Sequence, residues 1–223
     1  MRLAFLHSQT RALQRFAPSS TATVVPTRQK IDDLLSRIES ISDADRQARV
    51  QLAEEVLSRR ELLLRHHSRL EVLASQVEPS RDCWVLCYTD LTGGNLIASG
   101  ERVRIIDWVG AGLAPREVDL RHFVSNQPEV SEYFLRSYER HAPVQLDPDA
   151  LSFCLYHRYF EDFVDGAWFV LTDEVNDEEL NDGLESVLWD SVYNWRGLED
   201  DDSDMRDRAA HWMRALGNEG FWE

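Results

Sequence analysis

Apolar residues recur at helical spacing along most of the chain and form short β-like runs only in its middle. Leu3, Leu6, Leu13 and Phe16 fall roughly on one side of a helix predicted over 2–16. A Ser/Thr-rich loop lies between Pro18 and Pro26. Ile31, Leu34, Leu35 and Ile38 mark a second helix over 29–40. A capping signal, Ser42-Asp43-Ala44-Asp45, then opens a long helix over about 44–76, broken at most once, with Leu52, Val56, Leu63, Leu70 and Leu73 as its apolar stripe. Pro79 and Ser80 end it. The character then changes. Cys83–Tyr88, Leu96–Ala98 and Val103–Trp108 are short, apolar and β-prone. Thr92-Gly93-Gly94 reads as a turn, and Ser99-Gly100-Glu101 joins the last two runs as a hairpin. From Asp119 onward the spacing is helical again, at about 119–125, 129–141, 148–172, 177–195 and 204–216. Glu199–Asp202 with Asp204 reads as a solvated acidic linker. The pattern predicts a mainly helical α+β fold with a small antiparallel hairpin.

The 223 residues suit one domain in three segments: a helical 1–80, a loop-bearing 81–125 and a helical 126–223. A hydrophobic fraction of 43% is enough for a sizeable core. Acidic residues number 40 against 24 basic ones, a formal net charge of -16. That balance argues against nucleic acid, whose phosphates need a positive surface, and suits cationic ligands. Cys83, Cys87 and Cys154 make an odd count. No second Cys/His pair stands at zinc-ligand spacing. Such cysteine usage suggests a reducing, cytoplasmic setting. No apolar run reaches the roughly 18 residues that a membrane span needs.

The candidate chemistry sits on the short strands. Asp90 follows the run ending at Tyr88, and Asn95 stands five residues later. Asp107 closes the run Arg104-Ile105-Ile106. Phosphoryl transfer needs a carboxylate to hold the acceptor hydroxyl and take its proton. It also needs hard oxygen ligands for Mg²⁺, which an Asn carbonyl and an Asp carboxylate supply. Kinases carry these groups in this order, with the metal-binding Asp after the next hairpin. Any one of the three residues alone reads equally well as a turn cap. No Gly-x-Ser-x-Gly elbow and no dinucleotide-binding Gly-x-Gly-x-x-Gly after a strand is present.

Tyr88-Thr89-Asp90-Leu91-Thr92-Gly93-Gly94-Asn95 resembles the catalytic loop of the aminoglycoside-phosphotransferase family of small-molecule kinases, usually His-Gly-Asp-Leu-His-x-Gly-Asn. Ile105-Ile106-Asp107-Trp108 resembles its metal-binding segment, and Ala114-Pro115-Arg116-Glu117-Val118-Asp119-Leu120 its acidic stretch beyond. Tyr156-His157-Arg158-Tyr159 with Asp162 is similar, less specifically, to the spectinomycin-phosphotransferase branch. The resemblance implies the C-terminal lobe of a protein-kinase-like fold, with ATP as phosphate donor and Mg²⁺ as cofactor. It implies Asp90 as catalytic base, Asn95 and Asp107 as metal ligands, and Asp119 as a brace for the catalytic loop. Tyr88 replaces the usual loop-supporting His, and a tyrosine hydroxyl can still donate a hydrogen bond. Asp162 and Asp165 are candidate acceptor-binding residues. The acidic stretch Asp173–Glu179 reads as a solvated helix start, or as a face for a polycationic acceptor. Leu3-Ala4-Phe5-Leu6-His7 resembles the helix just beyond the interlobe hinge, with His7 as a packing residue.

The N-terminal-lobe elements of such a kinase are missing from these residues. The first glycine is Gly93, and the only lysine, Lys30, opens a helix. Neither a glycine-rich cover for the phosphates nor a strand lysine can be assigned. The expectation is therefore a phosphotransferase acting on a small-molecule hydroxyl that is impaired alone, or completed by a partner protein supplying the missing lobe. An apolar surface where that lobe docks is also expected. Two further readings are a non-catalytic kinase-like binding protein and a truncated gene product.

Overall fold

The computed structural model describes residues 2–18, 20, 23–77, 82–100, 102–121, 128–142 and 146–192. These divide into two compact units. One draws on Met1–Val24 and Leu73–Leu155, the other on Val25–Val72 and Tyr156–Asp204.

The first unit opens with α1 (Arg2–Ser8), α2 (Thr10–Leu13) and a 3-10 turn at Gln14–Phe16. The continuous helix expected over 2–16 is thus interrupted at Gln9. The Thr10 hydroxyl donates to the His7 carbonyl and accepts from Leu86 N–H, which ties the break to a strand. Leu3 is buried, but Leu13 and Phe16 are 40% and 70% exposed, so the stripe read along 2–16 does not enter the core as one face. Strand β1 (Val85–Cys87) follows. A 3-10 turn at Gly93–Asn95 leads into the hairpin of β2 (Leu96–Ser99) and β3 (Arg102–Ile105), in register Leu96↔Ile105 to Ser99↔Arg102. Gly100 turns it at φ 58°, a backbone region that glycine occupies without steric cost.

A further strand, β4 (Gly112–Ala114), was not foreseen; three residues with a glycine give too little alternation to read. It pairs antiparallel with β1, Val85↔Ala114 to Cys87↔Gly112. Leu113 N–H bonds the Pro18 carbonyl, and a Cβ on Gly112 would come within 2.9 Å of that same oxygen. The unit continues with α6 (Glu117–Leu120) and α7 (Pro128–Glu139) and takes the start of α8 (Pro148–Thr172). Leu3, Ala4, Tyr88, Leu91, Leu120 and Tyr138 share one core cluster, so α1, α6, α7 and the segment after β1 pack together.

The second unit holds α3 (Arg28–Glu39), α4 (Gln47–Leu57), most of α5 (Arg60–Val77), the rest of α8, and α9 (Asp177–Asp190). Thr27 caps α3, and Ile31, Leu34, Leu35 and Ile38 are all fully buried. The helix expected to start near 44 starts at Gln47. Asp45 bonds back to the N–H and hydroxyl of Ser42, closing a turn instead of capping the helix. The expected single break falls at Ser58-Arg59. Asn176 and Glu179 form a capping box on α9, and Asp177 pairs with Arg46 at 2.6 Å. The acidic stretch here starts a helix whose N-terminal dipole favours negative charge. Residues 122–125, 199–204 and 204–216, for which helix or linker was expected, lie outside the described residues. No helix of the described residues is long and apolar enough to cross a membrane.

Candidate active site

The loop after β1 carries Tyr88, Thr89 and Asp90, and it is held mainly from below by Asp119. Asp119 lies on α6 and is fully buried. One of its carboxylate oxygens accepts from Thr89 N–H at 2.6 Å. The other accepts from Tyr88 N–H at 2.9 Å and from His7 Nε2 at 3.0 Å. His7 Nδ1 meets the Tyr138 hydroxyl at 2.6 Å, so the Tyr138 hydroxyl donates to Nδ1 and Nε2–H donates to Asp119. The Cys87 thiol is also in this cluster. His7 Nε2, Cys87 Sγ and an Asp119 oxygen lie within 4.8 Å of one another. The thiol faces the carbonyls of Ala114 and Pro115, at 3.6 and 3.4 Å, and burial, reinforced by Asp119, pushes its pKa well up. A protonated thiol against two carbonyls is a poor metal ligand. The three side chains already have hydrogen-bond partners and act as a brace.

Asn95 Nδ2 donates to the Asp90 carboxylate at 2.8 Å and to the Asp90 carbonyl at 3.0 Å. The backbone repeats the closure, with Thr92 N–H bonding Asp90 O at 2.8 Å and Asn95 N–H bonding Thr92 O. The Asn95 amide nitrogen is spent on Asp90, which leaves the side-chain oxygen as the Asn95 donor atom for a metal. Asp107 follows β3, is exposed, and sits at φ 57°, the left-handed region that Asp tolerates better than most residues. Ile106 N–H bonds the backbone carbonyl of Asn95 at 3.1 Å, which extends the hairpin to the residue before Asp107. An amide oxygen and a carboxylate at the mouth of one hairpin form a hard-oxygen donor set that fits Mg²⁺.

Tyr88 is fully buried. Its hydroxyl donates to the Ile106 carbonyl, and its ring meets Trp108 edge-on at 5.0 Å. Burial first, then the charges of Asp90, Asp107 and Asp119, raise the phenol pKa, so the hydroxyl stays a donor. Sequence reasoning missed Thr89. This residue sits in the left-handed region at φ 77°, unusual for a β-branched side chain. Its hydroxyl donates to the Gly110 carbonyl at 2.9 Å, and its own carbonyl accepts from Arg121 at 3.1 Å. The signal was available, because Thr89 stands in the glycine position of the resembled loop. His7, read as a packing residue, is buried and also bonds Asp119, while Tyr138 gave no signal, being set against His7 only by the fold.

Asp162 and Asp165 lie on the part of α8 that belongs to the other unit. Asp162 pairs with Arg158 at 2.8 Å, yet burial outweighs the pairing and pushes its carboxyl up to about 6. Asp165 is exposed.

The model of the phosphotransferase enzyme family matches residues 2–153. No curated protein matches the sequence. Among solved structures, spectinomycin phosphotransferase in complex with ADP and spectinomycin superposes at a TM-score of 0.68 and 19% identity, over 94% of this chain and 62% of that one. The AMP-bound complex of spectinomycin phosphotransferase gives 0.69 and 20%, over 93% and 63%. The chain therefore spans less than two thirds of the length of these neighbours and shares the kinase-like fold over that part.

Proposed function

The chain belongs to the phosphotransferase enzyme family, and from that premise we propose that it carries the catalytic half of an ATP-dependent phosphotransferase acting on a small-molecule hydroxyl. The observation that supports this most is the closed pair of Asp90 and Asn95 beside Asp107. Asp90 is the catalytic base. The Asn95 amide fixes the rotation of its carboxylate, which then accepts the hydroxyl proton as the oxygen attacks the γ-phosphorus and ADP leaves. The Asn95 side-chain oxygen and the Asp107 carboxylate would hold Mg²⁺, which would neutralise phosphate charge when bound. Asp119 and Tyr88 fix the loop from which Asp90 projects. Rate enhancement in this chemistry is mostly positioning and electrostatics, so such bracing acts directly on the reaction.

The similar solved proteins bind spectinomycin, ADP and AMP. The proposed acceptor is a polar, cationic small molecule of that kind. Cys83, Cys87 and Cys154 are all free thiols, which suits a reducing cytoplasm. The glycine-rich cover and the strand lysine must come from polypeptide beyond these 223 residues, whether continuous with them or separate. Residues 1–223 alone are therefore expected to bind nucleotide weakly and turn over slowly. Calorimetric titration with Mg²⁺-ATP tests the reading, with Asp107→Ala as control. Metal-dependent heat lost in Asp107→Ala supports the half-site. Binding that is indifferent to Mg²⁺ and to Asp107 would overturn the assignment and favour a non-catalytic kinase-like protein.

A further inference from the structure

We propose that Thr89 is a positioning residue whose hydroxyl holds the Asp107 loop against the loop of the catalytic base; the proposal rests on Asp107 being a metal ligand. Asp107 is bracketed by two carbonyls, Ile106 before it and Gly110 after it. Each accepts a side-chain hydroxyl from the segment just before Asp90: Tyr88 bonds Ile106, and Thr89 bonds Gly110 at 2.9 Å. The exposed, left-handed Asp107 is thus fixed at both ends to the strand that delivers Asp90.

The backbone of Thr89 does not need a threonine. Its N–H is taken by Asp119 and its carbonyl by Arg121, contacts that any residue would make. At φ 77° a β-branched side chain is sterically disfavoured, and glycine would sit there without cost. What the side chain adds is the hydroxyl bond. Its acceptor leaves room for it: a Cβ on Gly110 would lie 2.8 Å from Thr89 Oγ1 and would push the hydroxyl out of this position. A disfavoured residue and a glycine fitted to it form one contact between the two catalytic loops.

Three substitutions separate the hydroxyl from the strain. Thr89→Ser keeps the hydroxyl and removes the branch. Thr89→Val keeps the branch and removes the hydroxyl. Thr89→Gly removes both. The Mg²⁺ concentration for half-saturation is measured calorimetrically at fixed ATP, and amide hydrogen exchange is followed across 106–111. Val and Gly are expected to raise the Mg²⁺ half-saturation about five-fold, the worth of one neutral hydrogen bond, and to speed exchange in the loop. Ser should stay within about two-fold of the parent protein. Because Val and Gly differ in backbone strain, equal shifts point to the hydroxyl; a general loss of stability would separate them. Unchanged Mg²⁺ dependence and unchanged exchange in both would overturn the proposal. If the parent protein binds no Mg²⁺-ATP, the phosphotransferase reading fails by itself. Exchange then still decides whether the hydroxyl ties the loops, with faster exchange in Val supporting the tie and unaltered exchange overturning it.

Discussion

Replacing Asp119 tests whether the loop that carries Asp90 is held from beneath. Its carboxylate is fully buried and accepts three hydrogen bonds, from Tyr88 N–H, Thr89 N–H and His7 Nε2–H. Asp119→Ala leaves all three donors without an acceptor in the core. A buried donor left unsatisfied costs about 1–3 kcal/mol, and partial relaxation brings the sum to about 3–6 kcal/mol. Against a total stability of about 5–15 kcal/mol, that is a large fraction. Asp119→Asn keeps one acceptor oxygen and the shape, but turns an NH₂ toward a donor; a loss of about 1–3 kcal/mol is expected. Urea denaturation followed by far-UV circular dichroism measures both, with the slope checked for two-state behaviour. If Asp119→Ala does not fold, Asp119→Asn carries the test. A loss below about 0.5 kcal/mol in both, the size of an ordinary surface change, would refute the brace.

Burial pushes the Glu117 carboxyl up to about 7, even though it accepts Asp147 N–H at 2.9 Å. Between about pH 4.5 and 7 the folded state then keeps a proton that the unfolded state has lost, so stability falls as pH rises through that window. Glu117→Gln should remove about 3 kcal/mol of that fall, read as the difference between the two proteins' denaturation midpoints at pH 5 and pH 8; parallel pH profiles would count against it. Asp162, raised to about 6, acts in the same direction at lower pH and is common to both proteins. On α8, a Cβ at Gly166 would lie 2.8 Å from Val187 Cβ on α9. Gly166→Ala should therefore destabilise by about 1–3 kcal/mol despite the gain in helix propensity. Adding Val187→Gly, which removes that Cβ, should cost less than the separate effects predict, whereas simple additivity in a double-mutant cycle would contradict the packing argument.

Elements whose cause is local were readable from the chain. Ile31, Leu34, Leu35 and Ile38 announce their buried face by spacing alone, and Gly100 announces the hairpin turn. Elements whose cause is distant were not. The helix break at Gln9 depends on Thr10 meeting Leu86, and β4 is a strand because β1 and Pro18 supply its partners. At the site, the order Asp90, Asn95, Asp107 was legible, being a matter of residue type and spacing. The closure of Asn95 onto Asp90 and the linkage of Tyr138 through His7 to Asp119 join residues far apart in sequence or in local geometry that no periodicity records.

Three residues depart from the family's usual loop, Tyr88, Thr89 and Thr92, and the first two are best read as one feature. Tyr88 and Thr89 replace a histidine and a glycine, and both substitutions add a hydroxyl. Each hydroxyl reaches a carbonyl of the segment around Asp107. The receiving segment is fitted to them: Trp108 packs edge-on to the Tyr88 ring, and Gly110 leaves the space that Thr89 occupies. Unselected drift in a disused site would leave mismatches, such as a strained threonine without a partner or a buried phenol without an acceptor, each costing about 1–3 kcal/mol. Neither mismatch is present among the described residues. Both hydroxyls and both acceptors thus belong to one fitted contact between the Tyr88-Thr89 segment and the segment around Asp107.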